Sequence, residues 1–125
     1  MAERYVVRTD QTAAQRIGPE AVIINFETYY YYDLNRTGTA VWDLLLEGGR
    51  DRDELSGALA AAFKTPVETV SRDVDALVDQ LLAEGLIATS PAAAGTPAVV
   101  HLTGAYVAPL LEKHEKLDQL ILSGE

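Results

Sequence analysis

The first part of the chain carries short hydrophobic runs of the kind that form β-strands. Residues 5–8 (Tyr-Val-Val-Arg) predict a first strand, and residues 21–26 predict a second one after the turn signal of Gly18 and Pro19. Residues 29–34 begin with four consecutive tyrosines, whose β-propensity favours a third strand over a helix. Because only two residues separate the second and third strands, we expect them to form a tight hairpin.

Hydrophobic spacing changes to the helical period after the third strand and predicts three helices. The first is expected to have Asn35 or Thr37 as its N-cap and to end before the glycines at 48–49. The second opens with a box-like pair, Asp51 and Glu54, in which each side chain reaches the backbone of the other residue.

The third helix has the most complete N-terminal signal of the chain. Thr65 is placed to cap it, Pro66 to occupy its first helical position and Glu68 to complete a capping box. A broad apolar stripe follows, and Gly85 marks the end before an extended segment at residues 86–89. Together the elements predict an α+β, winged-helix-like fold, in which a three-stranded antiparallel sheet packs on three helices.

The composition changes at Ser90 and divides the chain. Large apolar side chains disappear for a stretch, so we interpret residues 1–89 as one domain and residues 90–104 as a linker. In the remaining segment, residues 105–125, Pro109 is expected to start a helix. That helix would present one face made of Leu110, His114, Leu117 and Ile121.

The residue types exclude several kinds of chemistry. The 125 residues include no cysteine, which rules out disulfides, thiolate zinc sites and a cysteine nucleophile. His101 and His114 are too far apart in the sequence to suggest a metal site, and no nucleophile, base and orienting group stand together. We therefore expect a non-catalytic protein with no metal and no cofactor.

The charge and the apolar runs limit the partners. The formal net charge of −9 opposes binding to nucleic acid, whose phosphates are held by lysine and arginine. The third predicted helix would read DNA in a winged-helix protein, yet its charged residues are mostly acidic. With no signal peptide and no run of about 20 apolar residues, we expect a cytoplasmic protein that binds no membrane.

Several motifs follow one another in a specific order. They are residues 34–45 (Leu-Asn-Arg-Thr-Gly-Thr-Ala-Val-Trp-Asp-Leu-Leu), the glycines at 48–49, residues 53–55 (Asp-Glu-Leu), residues 70–82 and residues 85–87 (Gly-Leu-Ile). This pattern resembles the PqqD-like family, also known as the RiPP recognition element.

The resemblance implies a domain that binds the leader of a ribosomally synthesised, post-translationally modified precursor peptide. Such a domain delivers the leader to a modifying enzyme or a leader peptidase. The leader would lie along the free edge of the third strand, whose unpaired N–H and C=O groups an added strand satisfies, and against the third helix. The residues implied for this groove are Tyr29, Tyr30, Tyr31, Tyr32, Asp33, Val70, Asp73, Val74 and Leu77.

The C-terminal segment resembles the ligand of such a domain. Residues 106–111 match the Tyr-x-x-Pro-x-Leu motif of lasso-peptide leaders, so Tyr106, Pro109 and Leu111 are the expected anchors. Glu115 stands where those leaders usually carry glycine. We expect residues 106–111 to pair with the third strand, as an additional strand at the sheet edge, until Pro109 ends the ladder because it has no N–H to donate.

A recognition domain joined to a leader with no core peptide after it is expected of an engineered fusion, which we favour, or of a natural fusion that loads its own groove. The linker is long enough for binding in cis or in trans, and binding in trans gives a swapped homodimer. Lys113 is expected to contribute little. Two other interpretations stay open: a winged-helix DNA-binding regulator, and an oligomerisation module that uses the tail as a swapped element.

Overall fold

The computed structural model of the protein describes residues 3–114. The α+β class, with three helices and antiparallel sheets, is confirmed. In chain order the elements are β1 (Arg4–Val7), β2 (Thr12–Ile17), β3 (Glu20–Asn25), β4 (Tyr31–Leu34), α1 (Arg36–Leu46), β5 (Arg50–Asp51), α2 (Arg52–Phe63), α3 (Val67–Ala83), β6 (Ile87–Ser90) and β7 (Leu111–His114).

The strands of residues 3–114 form two sheets, where the sequence predicted one. β1 lies between β5 and β6, and the second sheet has the order β2-β3-β4-β7. The predicted sheet made of the first strand and the hairpin is therefore wrong. β2, a strand that was not predicted, pairs with β3 and is joined to it through a turn at Gly18, whose φ of 63° favours glycine. The sequence pattern did not predict β2, because residues 13–16 include no large apolar side chain.

The first two helices begin as predicted. The Asn35 side chain caps α1 by accepting a hydrogen bond from the backbone N–H of Gly38 at 2.8 Å. At α2, the Asp51 side chain accepts from the backbone N–H of Glu54, and the Glu54 side chain accepts from that of Asp51. Both helices therefore start at residues whose side chains satisfy free backbone donors.

The predicted capping box of α3 is wrong. Pro66 is the N-cap residue and no side chain caps the helix, while the Thr65 hydroxyl donates to the carbonyl oxygen of Phe63 at 3.2 Å. The cause lies one residue earlier, at Lys64, whose φ of 52° ends α2 in a left-handed conformation. The chain turns there, so that Thr65 faces the end of α2.

One cluster of buried apolar side chains joins β1, β3, β4 and the three helices. Leu111 of β7 is only 4% exposed and belongs to this cluster. Partly buried side chains from the segment between β6 and β7 pack against it: Ala98, Val100, Leu102 and Tyr106. This segment therefore follows the surface of the domain.

Arg50 ties that segment to the helices. Its side chain is fully buried, and the guanidinium donates to the carbonyl oxygens of Leu44 in α1 and of Thr96. It also pairs with the carboxylates of Glu47 and Glu54. The segment between β6 and β7 is thus bound to the domain near its beginning, at Thr96.

Candidate functional site

The edge of β4 is covered by the C-terminal segment of the same chain. β7 pairs antiparallel with β4, from Tyr31↔His114 to Leu34↔Leu111. A strand is thus added at the predicted edge, but with different residues. Pairing begins after Pro109 and does not end there, because a missing N–H costs nothing just before a strand.

The helix expected to start at Pro109 is also corrected, because residues 111–114 form β7. The period-2 arrangement of a strand places alternate residues on opposite faces, and the burial of Leu111 fixes which face turns inward. The expectations for Leu117 and Ile121 lie outside the described residues.

Asn35 holds the backbone on both sides of Pro109. Its Nδ2 donates to the carbonyl oxygen of Ala108 at 2.9 Å, and its Oδ1 accepts from the N–H of Leu110 at 3.0 Å. Its own backbone N–H donates to the carbonyl oxygen of Leu110 at 3.1 Å. The side chain that caps α1 therefore also binds the segment that enters β7.

Tyr106 lies against the helices and not against β4. Its hydroxyl donates to Asp73 Oδ2 of α3 at 2.8 Å, and its ring meets that of Phe63 edge-on, with centroids 5.4 Å apart. Burial and the Asp73 carboxylate raise the pKa of the Tyr106 phenol. The hydroxyl therefore keeps its proton and remains a donor to Asp73.

The other two expected anchors are buried to different extents. Leu111 is packed in the core cluster, whereas Pro109 is partly buried. Their neighbours Val107 and Leu110 are half exposed, at 50% and 51%. The three residues of the Tyr-x-x-Pro-x-Leu pattern are thus the more buried ones in residues 106–111.

Lys113, which was expected from the sequence to contribute little, contacts a carboxylate and an aromatic ring. Its Nζ lies 3.0 Å from Glu84 Oε1 and 4.2 Å from the centroid of the Tyr30 ring. The same Glu84 oxygen accepts a hydrogen bond from the Tyr32 hydroxyl at 2.9 Å. Burial and the Glu84 carboxylate raise the pKa of Tyr32, which keeps that hydroxyl protonated.

His114 has a similar pair of neighbours on the opposite face of the sheet. Its Nε2 lies 2.7 Å from Asp33 Oδ2, and its ring stacks on that of Tyr31 with centroids 4.8 Å apart. Two consecutive residues of β7 therefore each contact a carboxylate and an aromatic ring of the domain.

The predicted groove residues fall into three groups. Side chains that contact the C-terminal segment are Tyr30, Tyr31, Asp33 and Asp73. Side chains that are buried in the core beneath it are Tyr32, Val70, Val74 and Leu77. Tyr29 is exposed in the turn before β4 and does not belong to the ladder.

Three contributors were not predicted as part of the site. Asn35 was identified only as a helix cap, because its contacts to Ala108 and Leu110 join residues far apart in the sequence. Phe63 and Glu84 lie at the ends of α2 and α3. A signal existed for Glu84, since a carboxylate at a helix C-terminus is unfavourable unless a cation is near.

Residues 3–114 include no group of three or more His, Cys, Asp or Glu side chains placed to hold a metal ion. Within the same range, none of the helices is both long and apolar enough to cross a membrane.

Comparison with known proteins identifies the family to which the chain belongs. The PqqD family model, described as coenzyme PQQ synthesis protein D, matches residues 20–87. A solved structure described as "TbiB1 in Complex with the TbiA(beta) Leader Peptide" is similar, with a TM-score of 0.60 and 26% identity over 70% of this chain and 98% of that chain. No curated protein matches the sequence. Because the family match runs from β3 through all three helices and covers more than half of the chain, the chain belongs to the PqqD family.

Proposed function

We propose that the protein binds the leader of a ribosomally synthesised, post-translationally modified precursor peptide and delivers it to a modifying enzyme or a leader peptidase. The arrangement of residues 106–114 carries the proposal: an aromatic anchor on α3, a backbone held by Asn35 and a strand added to β4. Main-chain pairing supplies affinity for an extended peptide, and side-chain pockets supply selectivity. A module of this kind binds without catalysing a reaction.

Membership of the PqqD family and similarity to a structure of TbiB1 with a leader peptide support this function. The groove lies within the matched residues 20–87, and the segment that fills it comes after them. On this basis residues 1–89 form the recognition domain, residues 90–104 the linker and residues 105–125 a leader-like ligand in cis.

The ligand class is a lasso-type leader. Tyr106 and Leu111 are the anchors seated most specifically, one by a hydrogen bond to α3 and the other by burial in the core. Pro109 lies between the two backbone groups that Asn35 binds, where a fixed φ lowers the entropy lost on binding. The protein acts in the cytoplasm, where such precursors are synthesised.

The test separates the segment from the domain after folding. A protease site is inserted between Thr103 and Gly104 in the full chain, which is folded and then cleaved. A fluorescent peptide of residues 104–125 is added, and its exchange into the groove is followed by anisotropy. We expect micromolar or tighter affinity, about −8 kcal/mol, and displacement by the same unlabelled peptide.

Variant peptides define the anchors in the same assay. Tyr106→Ala and Leu111→Ala should each weaken displacement by roughly 30-fold, about 2 kcal/mol, as buried anchors do. Val107→Ala is the matched control, because Val107 is half exposed and should change little. Absence of exchange at several hundred micromolar peptide, or an equal loss for the Val107 variant, would contradict the proposed function.

A further inference from the structure

We infer that the groove selects leaders with a basic residue two positions after the leucine anchor, and that Glu84 and Tyr30 are the residues that select it. This inference rests on the proposed function, because it names the ligand class of the same groove. The observation is the position of the Lys113 ammonium, between the Glu84 carboxylate at 3.0 Å and the Tyr30 ring.

The domain fixes the acceptor independently of the peptide. Glu84 Oε1 accepts from the hydroxyl of Tyr32, whose side chain is fully buried, and the backbone oxygen of Glu84 accepts from Asn25 Nδ2 at 2.9 Å. Both ends of Glu84 are therefore held by residues of the recognition domain. A carboxylate placed in this way is prepared to receive a cation.

The electrostatic surroundings favour a positive charge there. Glu84 is the C-cap residue of α3, where the helix dipole adds negative potential, and the last turn of α3 has no basic residue. Arg8 lies nearby, but it donates to the carbonyl oxygen of Gly85 and faces Glu27. The face of the Tyr30 ring adds a further attraction for an ammonium or guanidinium group.

The spacing between the anchor and the basic residue follows from the sheet. Leu111 pairs with Leu34 and Lys113 with Tyr32, so the two peptide side chains lie on the same face. Because Leu111 is buried in the core, the register cannot slip by one residue without exposing it. Among residues 111–114, the residue two positions after the leucine is therefore the one brought to Glu84.

The size of the effect suits selectivity more than total affinity. The Lys113 and Glu84 side chains are 44% and 26% exposed, so water and salt screen their attraction. An exposed ion pair together with a cation–π contact corresponds to about five- to tenfold in affinity. An acidic residue at the same position would be repelled by the Glu84 carboxylate, so the loss of affinity should be considerably larger.

The cleaved full chain described above is used with unlabelled competitor peptides of residues 104–125. We expect Lys113→Gln to weaken competition about five- to tenfold, Lys113→Glu about 50-fold or more, and Lys113→Arg to match the wild-type peptide. Glu112→Gln is the matched charge control: Glu112 is exposed and lies opposite Asp33, so its neutralisation should at most strengthen competition slightly. A Glu112 effect as large as the Lys113→Gln effect would mean that total peptide charge decides, and would overturn the inference.

A change in the domain completes the test. Glu84→Gln keeps an acceptor for the Tyr32 hydroxyl but removes the charge, so the advantage of the wild-type peptide over the Lys113→Gln peptide should shrink for that variant to the share of the Tyr30 ring, about twofold. If the wild-type peptide does not exchange at all, the proposed function itself fails. If the wild-type peptide exchanges, Tyr106→Ala weakens competition as expected and the Lys113 variants match the wild-type peptide, the function stands and the inference of a basic-residue site is wrong.

Discussion

At the scale of single residues, the hydroxyl of Tyr106 makes the hydrogen bond that distinguishes tyrosine from phenylalanine. We predict that Tyr106→Phe weakens peptide binding about fivefold, roughly 1 kcal/mol, because the Asp73 carboxylate loses its donor. A double-mutant cycle with Asp73→Asn checks this in the anisotropy assay. The second mutation should add little to the first, whereas fully additive losses would mean that the two groups do not interact.

Lys64 offers a stability prediction at the same scale. Its φ of 52° at the end of α2 is a conformation that glycine adopts without steric cost. Lys64→Gly should therefore raise the free energy of unfolding by about 0.5–1 kcal/mol in urea denaturation. Lys64→Ala is the control and should give no increase. A decrease with glycine would show that the lysine side chain contributes more than its backbone strain costs.

At the scale of elements, Asn35 couples the start of α1 to the segment before β7. Asn35→Asp keeps an oxygen to cap the helix but replaces the Nδ2 donor with an oxygen that repels the carbonyl oxygen of Ala108. We predict at least tenfold weaker peptide binding, with little change in helix content by circular dichroism. Asn35→Ala should lose both the cap and the peptide contact. Equal binding by the aspartate variant and the wild type would contradict the dual role.

The elements also show what local sequence patterns determine. The three helices follow from apolar spacing and from caps such as Asn35 and Asp51, which act within four residues of themselves. β2 has no such pattern, since its strand identity comes from pairing with β3 across the turn at Gly18. Local sequence patterns therefore predicted the helices but not β2, which is a strand because it pairs with β3.

The candidate site was predictable in outline and not in register. The free edge expected for the third strand and the Tyr-x-x-Pro-x-Leu pattern indicated that the C-terminal segment would lie against this part of the domain. The added strand is formed by residues 111–114, directly after the backbone that Asn35 binds on both sides of Pro109. Because these contacts join residues remote in sequence, the local pattern of residues 106–114 did not indicate the register.

At the scale of the whole molecule, Arg50 connects α1, α2 and the segment after β6. Arg50→Met should lower the free energy of unfolding by about 2–4 kcal/mol, because the buried hydrogen bonds to Leu44 and Thr96 are lost. Arg52→Met is the matched control: Arg52 faces exposed carboxylates, so its loss should cost less than about 1 kcal/mol. Comparable losses for both variants in urea denaturation would contradict the structural role of Arg50.

Because β7 is covalently connected to its own domain, a free leader has to compete with the tethered segment for the groove. A ligand tethered by a short linker has an effective molarity of about 1 mM at its site. With an intrinsic dissociation constant of about 1 μM for the tethered segment, a free leader would bind roughly a thousandfold more weakly than to an empty groove. In the uncut chain a free leader must therefore compete with the tethered segment, and cutting between Thr103 and Gly104 should weaken that competition.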